Sequence, residues 1–314
     1  MTTTTALAAP ARARRARPRL HSLPSAMLIL HRSALWFWLA LVAVAAGATL
    51  WMYGWGADAA FAEFVRKGCV DGVVNSGCDY NGPAYTRYDT ANTVSGGLIN
   101  FVPLLTALWA GTALIGRELE NGTAQLAWTQ SVSPARWLAA KLAVPAALLT
   151  AGTLLLVLLH RLAWDAHTEL FRGRGPRQWQ DTGNYVANGA LAPAYALLGL
   201  AVGALTGLLV RRSLAASVGT FLAFLALQSV ITSLRPYLWP AETLTSKNGF
   251  PDYIGAIIGA GAETATGHDV VGFSRDHHPV SHFWPLQLME TGIVLTVAAT
   301  ATAAAFWLLR RRTA

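Results

Sequence analysis

An all-α integral membrane protein with six transmembrane helices is the fold class this sequence predicts, and three observations carry that reading. Charged residues make up only 13% of the 314 residues, against 54% hydrophobic, whereas a soluble domain carries about 25% charged residues. Six stretches nearly free of Asp, Glu, Lys and Arg recur along the chain, each close to the roughly 20 residues that cross about 30 Å of hydrocarbon as a helix. Basic residues collect at alternate ends of these stretches, which is how a polytopic chain fixes its orientation. The net charge of +8 therefore belongs to the membrane surface and gives no reason to expect a nucleic-acid partner.

Residues 1–32 are Arg-rich and polar and read as a basic cytoplasmic tail, with "SAMLILHRS" as the possible start of an interfacial amphipathic helix. A cleaved signal peptide is the competing reading. It is disfavoured because the following apolar run is too long for a signal core and no small-residue cleavage site follows it. Residues 33–314 form the membrane domain, with spans expected at Ala34–Trp55, Gly96–Gly116, Leu142–Leu159, Gly189–Val210, Leu214–Leu234 and Leu286–Leu309. Trp36, Trp38, Trp51, Trp55, Trp164, Trp284 and Trp307 mark span ends, where indole rings favour the headgroup layer.

With the N-terminus inside, the inner segments hold 14 of the 24 Lys and Arg residues and only two acids, Glu118 and Glu120. The outer segments hold the other 10 basic residues and 13 acids. The Arg211-Arg212 turn and the Arg310–Arg312 run are the most diagnostic, because an inverted chain would expose both outside. Both termini are thus expected in the cytoplasm, with long extracytoplasmic segments at about 58–95, 160–188 and 235–285. The last includes "YIGAIIGAGA" from Tyr253, too short to span. Two readings stand for it: a re-entrant or interfacial segment, or a small helix on the outer face. Cys69 and Cys78 both fall in the first outer segment, where a disulfide persists.

No G-x-x-x-x-G-K-[ST] loop, G-x-S-x-G or H-E-x-x-H occurs in the chain, so any ATP-driven work needs a nucleotide site on a partner. The most informative segment is the inner connector "GRELENGTAQLAWTQSVSPARWLAAKL", residues 116–142. Asn121-Gly122 is expected to break the emerging helix, and Thr123 to cap a short new one bearing Leu126, Trp128 and Val132. Ser133-Pro134 restarts the chain as N-cap and first helical residue. Physically, this is either a rigid helix on which a soluble partner can push or an amphipathic helix on the headgroups.

The connector resembles the signature of type-2 ABC exporter permeases. The matching residues are Arg117, Glu118, Glu120, Gly122, Thr123, Leu126 to Ser133, Arg136, Trp137, Leu138, Lys141 and Leu142, with a second match at "FWPLQLMETGIVL", Phe283 to Leu295. The resemblance implies a permease subunit of an ATP-driven exporter, working as a homodimer or pseudo-dimer beside a separate ABC ATP-binding subunit that holds ATP and Mg. No catalytic residue or cofactor is expected in this chain. The resemblance also implies that Arg117, Glu118, Glu120, Gly122, Thr123 and Arg136 couple the connector to that partner. A solvated inner face is the plainer reading of the two carboxylates. A non-transport sensor or immunity protein acting through its outer loops is the alternative function.

Glu290 is the one acid inside an expected span, and intramembrane acids are expensive enough to need a purpose. It serves either as a structural anchor or in a substrate or proton role. Gly199, Gly203 and Gly207 form a four-residue ladder suited to close helix approach, as a dimer seam or within one subunit. Asn100, Pro103, Pro145, Pro193 and Gln228 either line a path or act as ordinary packing and kink elements. His268, His277, His278 and His282 lack the carboxylate or cysteine framework of a metal site and read as a solvated loop. The transported substrate is not assigned.

Overall fold

The computed structural model describes residues 28–69, 79, 81–129, 132–168, 179–246, 256–265 and 269–313. Helix α1 (Arg32–Trp51) passes through a π-helical turn (Met52–Gly56) into α2 (Ala57–Arg66). Helix α3 (Pro83–Trp109) passes through a second π-helical turn (Ala110–Gly116) into the four-residue α4 (Arg117–Glu120). There follow α5 (Thr123–Thr129), α6 (Pro134–His167), α7 (Thr182–Ala187), α8 (Leu191–Val210) and α9 (Ser213–Leu234). Strands β1 (Glu242–Ser246), β2 (Ala256–Ala265) and β3 (Asp269–His278) precede the last helix, α10 (Phe283–Thr313).

Among the described residues, six helical segments are long and apolar enough to cross a membrane: Arg32–Arg66, Pro83–Glu120, Pro134–His167, Leu191–Val210, Ser213–Tyr237 and Val280–Thr313. Four of them run to 34–38 residues, about 50 Å or more at a rise of about 1.5 Å per residue, so they project beyond a hydrocarbon core of about 30 Å. Charge-free runs in the sequence mark only the part within hydrocarbon. The ends are set by local chemistry. Pro83 sits in the first turn of α3, where its missing N–H costs nothing. The buried Glu63 carboxylate accepts the Ala84 and Tyr85 amides at 2.8 and 3.1 Å, which satisfies orphan donors of that helix. Ser133 accepts the Arg136 amide at 3.4 Å, and Pro134 opens α6.

Helix α8 is the most buried span and lies at the centre, against α3, α6, α9 and α10. The glycine ladder lets it in, and it does so within one chain. A Cβ at Gly199 would overlap the Pro103 carbonyl oxygen, and one at Gly203 the Ala107 carbonyl oxygen; at Gly207 it would sit 3.0 Å from the Gly111 oxygen. Gly219 on α9 has open space instead. Gly203→Ala is therefore expected to cost about 1–3 kcal/mol through overpacking, whereas Gly219→Ala is neutral or slightly stabilising. Thermal unfolding of both variants in detergent checks this.

Polar ties join other helix pairs. Thr49 and Ser95, both buried, are 2.5 Å apart between α1 and α3. Asn100 donates to the Gly96 carbonyl at 2.7 Å and the Gly183 carbonyl at 3.0 Å, which spends its amide on holding α7 to α3. Cys69 is disulfide-bonded, and Cys78, the only other cysteine in the chain, lies outside the described residues. Mass spectrometry of unreduced and reduced protein is expected to differ by two protons' worth of mass, with no thiol alkylated before reduction.

The segment before α10 departs from expectation. From Ala256 the run is strand β2 and not the small helix that was one of its two readings; residues 253–255 lie outside the described residues. It belongs to an antiparallel sheet of order β1-β3-β2. Beyond Ile257 and Ile258, the two glycines and four alanines of β2 carry little β-propensity of their own, and its backbone is satisfied by β3, which follows it in sequence. A short apolar run alone does not reveal that pairing.

Candidate functional site

One end of the bundle gathers the connector, the α8–α9 turn and the C-terminal arginines. Arg211 closes α8 in the left-handed region (φ 56°), and its amide bonds back to the Gly207 carbonyl at 3.1 Å. The chain can then reverse into α9 within two residues. Arg312 donates to the Leu208 carbonyl, which brings the end of α10 to the same place.

The connector itself is a bent, fastened element. Gly122 has φ +72°, a conformation that glycine adopts without the Cβ penalty. Asn121 and Gly122 interrupt the helix there, as the sequence suggests. Thr123 acts differently from the expected cap. It is the first residue of α5, and its hydroxyl donates backward to the Glu118 carbonyl at 3.2 Å. An orphan carbonyl at the end of α4 is thereby satisfied. The Gly122 carbonyl accepts the Leu126 amide at 3.3 Å and so begins α5. On α5, Ala124 is buried and Trp128 meets Trp137 edge to face with centroids 5.6 Å apart, while Leu126 is 58% exposed.

Both connector carboxylates are engaged inside the chain. Glu118 accepts Lys141 Nζ at 2.5 Å and Trp137 Nε1 at 3.3 Å. Lys141 is almost fully buried, so this is an ion pair of low solvent access. Lys141 and Trp137 lie four residues apart on one face of α6, with the ammonium 5.4 Å from the indole centroid. Glu120 accepts the Ser213 amide at 2.9 Å and the Ser213 hydroxyl at 2.6 Å. It therefore caps the start of α9, where a carboxylate is favoured. Arg117 and Arg136 are both exposed, and the Arg117 guanidinium has no hydrogen-bond or ion-pair partner among the described residues. Immediately before α4, the π-helical turn holds Gly111 and Gly116 against α9: a Cβ at Gly111 would lie 2.5 Å from the Thr220 hydroxyl, and one at Gly116 3.2 Å from the Ser213 Cα. Such wide turns interrupt a helix where function often needs it to yield.

Sequence reading singled out the connector but missed its partners. Ser213 is 93 residues from Glu120, and no local pattern links them. Lys141 offered one signal, a lysine just inside an apolar run, which requires a counter-charge.

At the opposite end of the bundle, Glu290 is fully buried and paired. Arg235 Nε donates to its Oε2 at 2.6 Å and Nη2 to its Oε1 at 3.0 Å; the Tyr195 hydroxyl donates to Oε1 at 2.8 Å. The Arg235 guanidinium also lies 4.2 Å from the Tyr185 ring centroid. Burial, reinforced by the Glu290 carboxylate, holds the Tyr185 phenol above its ordinary pKa. Arg235 follows the last residue of α9, at the start of the expected outer segment 235–285. His278 and His282 approach each other with Nδ1 atoms 3.1 Å apart, and His282 meets Glu242 at 3.3 Å. His268 lies outside the described residues, and among those described no cluster is built to hold a metal ion.

A six-span helical protein with a fastened connector at its basic end belongs to the polytopic class that transporters use. The family model described as "ABC-2 membrane transporter related" matches residues 39–235, more than half of the chain, and the chain belongs to that family. It is accordingly a membrane permease component of the ABC transporter type, a class that associates with ABC ATP-binding subunits. The match covers the connector and ends at Arg235, before the sheet and α10. No curated protein and no solved structure matches the chain.

Proposed function

We propose that this chain is the transmembrane permease subunit of an ATP-driven exporter in a bacterial cytoplasmic membrane. In this reading the connector end and both termini face the cytoplasm. ATP and Mg are held by a separate ABC subunit, and two permeases, identical or related, form the working unit. The observation that carries the reading is the pair of carboxylates on the connector, one fastened to α6 and the other to α9. A displacement of α5 by a docked subunit would move three spans together: α3 through α4, α6 through Glu118–Lys141, and α9 through Glu120–Ser213. Leu126 is the apolar contact offered to the partner.

The orientation rests on charge. Arg117, Arg211, Arg212 and Arg310–Arg312 share the connector end of the molecule, the distribution expected of a cytoplasmic face. Co-purification with candidate ABC subunits, followed by ATPase and vesicle transport assays of the complex, tests the proposal. Glu120→Ala is expected to leave the complex assembled but to lower transport per ATP hydrolysed severalfold, with Ser213→Ala in the same direction. If both variants couple as the parent does, the fastening of α9 has no part in transmission.

A further inference from the structure

A cavity of about 920 Å³ opens between α1, α3, α6 and the connector. Ligand pockets run to about 300–1,000 Å³, so this one has room for a large guest. Its walls are apolar, including Leu41, Val102, Leu105, Val144 and Leu148. Its charged and titratable groups are confined to the connector end: His31, Arg117 and the Glu118–Lys141 pair, with Asn121 and Thr123 beside them. The division is that of an amphiphile, with tails against the helices and a head at the membrane surface.

The charge at the head end decides which amphiphile. Glu118 and Lys141 neutralise each other. Burial, helped by the Lys141 charge, lowers the His31 pKa and keeps the imidazole neutral at pH 7. Arg117 is then the remaining charge on the cavity wall; the nearby Glu120 carboxylate, which feels its field, is hydrogen-bonded to Ser213 and does not line the cavity. His31 Nε2 is buried without a hydrogen-bond partner. The exposed Arg117 guanidinium suits the phosphate of an anionic headgroup, to which it can offer a forked pair of charge-assisted bonds. The chain's own residues 1–27 are a poor guest, because they carry Arg12, Arg14, Arg15, Arg17 and Arg19 and no acid.

We infer that this cavity is a binding site for an anionic phospholipid drawn from the leaflet on the connector side, its acyl chains between α1, α3 and α6 and its phosphate on Arg117. A lipid there touches Lys141 and Trp137, the α6 half of the Glu118 fastening, so its presence bears on how the connector moves. The leaflet assignment rests on the orientation proposed above; the binding itself does not.

The test is native mass spectrometry of the full-length protein in detergent, titrated with dioleoyl-phosphatidylglycerol or dioleoyl-phosphatidylcholine. Phosphatidylglycerol is expected to be retained about fivefold more tightly, the worth of one basic residue at a lipid headgroup. Arg117→Gln is expected to abolish that preference, whereas Arg310→Gln, at the same end but outside the cavity, keeps it. Leu148→Trp, which fills the cavity, is expected to reduce retention of both lipids. Equal retention of the two lipids by the parent, or a preference untouched by Arg117→Gln, overturns the inference. So does phosphatidylglycerol retention that appears only after residues 1–27 are deleted, since the tail would then be the occupant. Because the measurement is blind to orientation and needs no ATP, its failure leaves the coupling proposal standing, and failure of coupling leaves it intact.

Discussion

Glu118→Ala is expected to destabilise the protein by about 3–5 kcal/mol, because it strands a buried charge. Lys141 is about 2% exposed and Glu118 16%, so solvent does little to relieve the ammonium once its carboxylate is gone. Trp137 Nε1 loses its acceptor in the same step. The double variant Glu118→Ala with Lys141→Met should recover most of the stability, since an apolar side chain of similar length replaces the stranded charge. It should not recover coupling: the α4–α6 fastening is absent, and transport per ATP stays low. Denaturation in mixed micelles reads the first quantity and a vesicle assay with the ATP-binding subunit reads the second. A double variant that is stable and fully coupled would show the ion pair to be scaffolding alone.

The second large effect concerns Glu290. Alanine there leaves the Arg235 guanidinium buried and removes the acceptor of the Tyr195 hydroxyl, again at a cost of about 3–5 kcal/mol. Glu290→Gln keeps an acceptor for Tyr195 but loses the ion pair, so it should fall between alanine and the parent. The fully paired geometry favours anchoring of α9 and α8 to α10 over a proton-carrying role. Glu290→Leu combined with Arg235→Met is therefore expected to restore both stability and transport. Restored stability without transport would reassign Glu290 to the substrate or proton path.

The helical membrane fold was legible because bilayer insertion leaves a one-dimensional signal: charge-free length and basic residues at alternate ends. What that signal omits is everything set by long-range pairing. Helix α3 begins at Pro83, thirteen residues before its charge-free core, because Gly82-Pro83 and the carboxylate of Glu63 start it there. The β-sheet is hidden for the same reason, since a strand rich in Gly and Ala is defined by its neighbour. The connector was found through Gly122, Ser133-Pro134 and the family signature, all local features. Its side-chain contacts, Glu118 to Lys141 and Glu120 to Ser213, join residues 23 and 93 positions apart, and only a folded chain displays them. The glycine ladder illustrates a third case. Its spacing announces a close helix contact, and the identity of the partner helix, α3 in the same chain, comes from the three-dimensional packing.

The most direct test of the coupling account is the reactivity of a cysteine placed at Leu126, using a membrane-impermeant maleimide on intact cells and on inside-out vesicles. The account predicts labelling in inside-out vesicles alone, and protection there when the ATP-binding subunit is bound. Labelling in intact cells, or labelling in vesicles that the bound subunit leaves unchanged, would contradict it.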